Sequence, residues 1–123
     1  MNLMSSLLIV DDDARMRRLI RSIVSDLVHS ITECGDGAEA EACYTECHPD
    51  WVLMDLMMPR MNGLEATRRI LFLNPGAKIV MVTGRDSQSL REAADSAGVC
   101  AFVSKENLLD LRQLIQAEPG VSV

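Results

Sequence analysis

Aromatic residues are scarce in this chain, with one Trp, one Tyr and two Phe making up 3% of it. Its core must therefore come from Leu, Ile, Val, Ala and the eight Met, side chains that fill an interior without ring stacking. Basic charge is also short. Twelve Lys and Arg stand against eighteen Asp and Glu, a net charge of −6, and the one basic concentration is Arg15, Arg17, Arg18 and Arg21. A surface of that kind excludes direct nucleic-acid binding through the phosphate backbone. Long apolar runs are missing too. Residues 7–10 form a short one that runs straight into three aspartates, too brief for a signal-peptide core. Nothing approaches the roughly 20 apolar residues of a membrane span. With no secretory signal, Cys34, Cys43, Cys47 and Cys100 read as reduced thiols of a cytoplasmic protein.

What is present suits one globular domain. Hydrophobic residues are 48% of 123, enough for a single core, expected over about residues 7–115 of a domain spanning 1–123. Leu7-Leu8-Ile9-Val10 reads as a strand covered on both faces. Met16, Leu19, Ile20, Ile23, Val24, Leu27 and Val28 then fall on one helical stripe, predicting a helix over 14–28 with Asp13 as its cap. The alternation continues with strand 30–33, turn 34–37 and an alanine-rich helix over 38–46 before Pro49. A strand at 51–54 ends on Asp55, a helix runs from about Gly63 to the Asn74-Pro75-Gly76 stop, and a strand at 79–82 ends on Thr83. Last come a helix over 87–97 stopped by Gly98, a strand at 100–103, Lys105, and a helix carrying Leu108, Leu111, Leu114 and Ile115 that ends before Pro119-Gly120. Strands alternating with helices imply parallel pairing with right-handed crossovers and helices on both faces, a doubly wound α/β domain.

In such sheets ligands sit at the carboxyl ends of the strands. Asp11 and Asp12, Asp55, Thr83 and Lys105 all fall there. Three carboxylates brought together repel unless a cation intervenes, and Mg2+ takes hard oxygen ligands of this kind. An aspartate can act as a nucleophile toward phosphorus, with a lysine as point charge and a hydroxyl as donor for the phosphoryl oxygens. Asp55 is the expected nucleophile, assisted by Lys105 and Thr83.

Asp55-Leu56-Met57-Met58-Pro59-Arg60-Met61-Asn62-Gly63 resembles the D-x-x-M-P-x-x-D/N-G segment of the receiver domains of bacterial two-component response regulators. Val10-Asp11-Asp12, Val82-Thr83-Gly84 and Ser104-Lys105 match the same family. The resemblance implies a flavodoxin-like three-layer sandwich with a five-stranded parallel sheet of order 2-1-3-4-5. It implies phosphorylation of Asp55 by a histidine kinase or histidine phosphotransfer protein. It also implies Mg2+ held by Asp12, Asp55 and the main-chain carbonyl of Met57, with Asp11 acting through a water. Thr83 and Phe102 would form the switch, and the surface of the fourth helix, fifth strand and fifth helix would be read by an effector protein or an output domain outside this chain. Phosphorylation-dependent homodimerisation through the fourth and fifth helices is a further expectation. Three departures stand out: Glu106 follows Lys105 where many members have proline, Phe102 replaces the frequent tyrosine, and Met57 and Arg85 occupy the two variable places near the phosphoryl group.

Taken singly, most of these residues have plainer roles. Asp11 and Asp12 alone would be a strand end and a helix cap, Thr83 a loop residue and Lys105 a solvated lysine; their joint placement reverses that weighting. Cys43, Cys47 and His48 have the wrong spacing for C-x-x-C-H. Met54, Met57, Met58 and Met61 read as core and loop filling, His29 and His48 as solvated, and the four early arginines as the wet side of the first helix. Three other functions compete. A phosphohydrolase passing through an aspartyl phosphate would carry an acid two residues after the nucleophile, where Met57 stands. A flavin carrier would need more aromatics. A pseudo-receiver acting purely as a binding module would not need the complete acidic set and lysine.

Overall fold

The computed structural model describes residues 5–116. Five strands, β1 (Ser6–Val10), β2 (Ser30–Cys34), β3 (Trp51–Asp55), β4 (Ile79–Thr83) and β5 (Ala101–Ser104), alternate with α1 (Ala14–Val24), α2 (Gly37–Cys47), α3 (Gly63–Leu73), α4 (Gln88–Ala97) and α5 (Asp110–Gln116). All strand pairs are parallel and the order is β2-β1-β3-β4-β5, as the family resemblance implies. The order reverses between β1 and β3, so the crevice at a switch point opens beside Asp11 and Asp55.

Strand alternation makes two cores from one sheet. Leu7, Ile9, Trp51, Leu53, Val80 and Val82 meet Ile20 and Val24 of α1 and Leu111 and Ile115 of α5. Leu8, Val10, Val52, Met54 and Met81 meet Ala40 of α2, Ala66 and Ile70 of α3 and Ala94 of α4. Every residue of β3 and β4 is buried, which is why those strands read as unbroken apolar runs. Among the described residues no helix is long and apolar enough to cross a membrane.

Three boundaries differ from the sequence reading. The first helix stops at Val24, and a 3-10 turn (Ser25–Leu27) carries the chain to Val28. Arg112 of α5 donates to the Ile23 carbonyl at 2.8 Å and grips Asp26 with both guanidinium nitrogens, so a tertiary partner satisfies the helix end that further turns would have covered. β5 is shifted by one residue, to Ala101–Ser104. Lys105–Asn107 form a second 3-10 turn, capped by the Ser104 hydroxyl, which accepts from the Glu106 amide at 3.2 Å. A proline at 106 has no N–H to give, so the departure at Glu106 has a structural use. The Pro119-Gly120 stop lies outside the described residues.

Candidate functional site

The carboxyl ends of β1 and β3 bring Asp11 and Asp55 side by side, 2% and 4% exposed, with Asp12 on the open side. One carboxylate oxygen from each of the three lies within 4.8 Å of the others. Lys105, at the end of β5, reaches across β4 and places its Nζ 3.0 Å from Asp11 Oδ2 and 3.1 Å from Asp55 Oδ1.

Local structure holds each carboxylate. Asp11 Oδ1 accepts from the Asp13 amide at 2.8 Å, and Asp13 caps α1 by accepting from the Arg15 amide. The Asp11 backbone is fixed as well, its amide donating to Cys34 O at 3.0 Å and its carbonyl accepting from Arg17 Nη1 at 2.5 Å. Asp11 Oδ2 is shut off from water with no aligned hydrogen-bond donor, facing the Lys105 ammonium. Asp55 is seated by the helix that follows it. Asn62 caps α3, its side chain accepting from the Glu65 amide at 3.0 Å, while the Gly63 amide donates to Leu56 O at 2.8 Å.

One ammonium does not balance three carboxylates. Burial, and then the charge of Asp11, push the Asp55 carboxyl up to about 6 against the opposing pull of Lys105. Burial also works against the Lys105 charge, but its contacts with Asp11 and Asp55 outweigh this and raise it above its ordinary value. The site has negative charge to spare and three carboxylate oxygens close together, a donor set that fits a hard divalent cation.

Thr83 closes the rim, 1% exposed, its hydroxyl accepting from the Arg85 amide at 3.1 Å. Met57 is 54% exposed on the loop after Asp55, whereas Met54 is fully buried and Met58 and Met61 pack on the second core. Phe102 is half-buried on β5, two residues before Ser104. The structure thus gathers Asp11, Asp12, Asp55 and Lys105 into one cluster, sets Thr83 beside it, and places Phe102 further down β5 toward α4.

The arginine reading needs correction at Arg17, whose side chain is only 19% exposed. Arg21 lies on the wet side of the helix as expected, yet both donate to Glu33 at 2.9 Å, so together they clamp β2 to α1. Their four-residue spacing on one helix face was the available signal. Nothing in the spacing flags two other ion pairs: Arg60 with Asp36, and Arg91 with Asp86 beside Phe102. His29 and His48 are exposed, as read. Burial, followed by the neighbouring Cys34 thiol, pushes the Cys43 thiol up to about 12, leaving it protonated at neutral pH and a poor nucleophile.

Comparison with known proteins fits this geometry. The family model described as response regulator receiver domain matches residues 7–117. The chain is 37% identical to the chemotaxis protein CheY of Thermotoga maritima, over 80% of this chain and 82% of that one. It is 36% identical to the response regulator MprA of a Mycobacterium species over 85% of this chain but 45% of the longer relative. Among solved structures it resembles a two-component response regulator of the LuxR family from an Aurantimonas species, with a TM-score of 0.85, 31% identity, and coverage of 92% of this chain and 83% of that one.

Proposed function

The chain belongs to the response regulator receiver domain family, and from that premise we propose that it is a phospho-acceptor switch whose Asp55 takes a phosphoryl group from a histidine kinase or histidine phosphotransfer protein. The observation that carries this reading is the Lys105 ammonium, lying 3.0 and 3.1 Å from Asp11 and Asp55 at the carboxyl rim of the sheet.

Asp11, Asp12 and Asp55, with the Met57 carbonyl that the family pattern adds, would hold Mg2+. Bound there, the ion offsets the carboxylate charge that would otherwise repel a phosphoryl group. The residues of the chain do the rest. An Asp55 carboxylate oxygen forms a bond to phosphorus while the bond from phosphorus to the donor breaks, the electron pair leaving with the donor. Lys105 neutralises charge on the phosphoryl oxygens as they pass through the planar arrangement. The Thr83 hydroxyl, which now accepts from the Arg85 amide, has its proton free to donate to one of those oxygens. In following the phosphoryl group, Thr83 lets Phe102 turn inward and remodels the α4-β5-α5 surface, a population shift driven by a local charge. An effector, an output domain or a second copy of the chain reads that surface. The product is an acyl phosphate on Asp55, so the chain acts as an acceptor and not as a turnover enzyme. It works in the cytoplasm, without nucleic-acid or membrane contact of its own.

Intact-mass measurement with Mg2+ and acetyl phosphate tests this. One added phosphoryl group is expected in the parent, none in Asp55→Asn, and none after chelation. Absence of the adduct with every donor and divalent metal would leave the binding-module reading in its place. Sedimentation of the same two samples reads dimerisation, and equal values with and without the phosphoryl group would count against it.

A further inference from the structure

Phe102 does not stand alone on β5. The Arg91 guanidinium carbon of α4 lies 4.5 Å from the centroid of its ring. That guanidinium is held in place: Nε donates to Asp86 Oδ1 at 2.7 Å and Nη2 to Asp86 Oδ2 at 3.0 Å. The two-pronged bond fixes the plane of a side chain that would otherwise sample many rotamers, so its cationic face is presented to the ring in advance. Asp86 sits three residues after Thr83, on the loop whose Arg85 amide holds the Thr83 hydroxyl. One short stretch therefore ties both switch side chains, Thr83 through Arg85 and Phe102 through Asp86 and Arg91.

We infer that Arg91, held by Asp86, is a positioning residue for Phe102: it keeps the ring against α4 in the unphosphorylated protein and so sets the threshold for phosphorylation at Asp55. The inference rests on the proposed Thr83–Phe102 switch. If the ring leaves α4 as the phosphoryl group arrives, whatever holds it lowers the affinity for that group by an equal factor, because coupling between two sites is reciprocal. The contact depends on pairing an arginine at 91 with an aspartate at 86. An aliphatic residue at 91 would pack on the ring without the electrostatic hold.

The test uses the full chain with Mg2+ and titrates beryllofluoride, which mimics a phosphoryl group on aspartate, by calorimetry. Arg91→Ala is expected to bind it about twofold to fivefold tighter, matching the strength of an exposed cation–π contact, and to be phosphorylated by acetyl phosphate faster by a similar factor. Asp86→Asn, which frees the guanidinium, shifts both readouts the same way by less. Arg91→Lys keeps a cation without the fork and falls between parent and Arg91→Ala. Asp26→Asn removes the other two-pronged arginine pair and leaves both readouts at the parental value. A purely structural contact would move the urea midpoint while leaving beryllofluoride affinity unchanged. If the parent binds the mimic and Arg91→Ala binds it equally or more weakly, the inference is overturned while the acceptor reading stands. If the parent itself binds none, the acceptor reading fails first and takes the inference with it.

Discussion

Glu33 lies between two guanidinium groups, Arg17 and Arg21, each 2.9 Å away. Burial pushes its carboxyl up, but hydrogen bonds from both arginines outweigh that and leave it below its ordinary value. A depressed carboxylate stabilises the fold above the unfolded-state value near 4.5, and that contribution fades as pH falls through the lower folded-state value. Glu33→Gln should therefore cost about 1 kcal/mol at pH 7, with the gap from the parent narrowing below pH ~4.5. Urea denaturation of both proteins at pH 7 and pH 3 checks this, and a gap that stays constant or widens at pH 3 would refute the ion-pair account. The candidate site residues were legible at this scale, because Asp11, Asp12, Asp55, Thr83 and Lys105 lie at or just beyond strand ends, and a strand end is readable from where an apolar run stops. The partners of Glu33 were not, since Glu33 is on β2 and its arginines are on α1.

The segment from Asp55 to Gly63 shows how an element is positioned for chemistry. α3 begins so close under the backbone of Asp55, the proposed nucleophile, that a Cβ on Gly63 would fall 2.1 Å from Asp55 O. The same loop presses on α2, where a Cβ on Gly37 would fall 2.3 Å from Met61 O. Arg60 of the loop, in a left-handed conformation at φ 66°, ties it to Asp36, the cap of α2. Gly63→Ala must push α3 away from β3, so it should cost about 3 kcal/mol or more, at the upper end of overpacking effects, and slow phosphoryl uptake as Asp55 shifts. Gly76→Ala is the control, because an added Cβ there meets nothing within 4 Å, and its stability should stay within about 0.5 kcal/mol of the parent. Equal urea midpoints for the two variants would show that the close approach is not limiting. The motif announced a turn and a helix start here. That its glycine is required by contact with the Asp55 carbonyl, a backbone atom eight residues earlier in the chain, is visible only once the helix has folded back.

At the scale of the whole molecule, three carboxylates gather at the rim of the sheet and one lysine pairs with two of them. A cation bound there stabilises the folded state alone, by about 1.4 kcal/mol at ten times its dissociation constant. For a domain of this size that raises Tm by about 5 °C. Thermal unfolding with and without Mg2+ checks the expectation, with Asp12→Asn losing most of the increase; identical curves for the parent would count against a metal site. The alternation of apolar runs and amphipathic stripes determined, from the sequence by itself, that this is a doubly wound domain with its polar residues at strand ends, because periodicity follows from local backbone geometry. The motif resemblance supplied the strand order and the proposed acceptor. Tertiary structure decided the rest: where α1 stops, which arginines pair with Glu33, and that Arg91 lies over Phe102. Those outcomes depend on contacts between residues far apart in the chain, such as Arg112 with Ile23 and Asp26, whose meeting is set by the packing of layers and not by any local pattern.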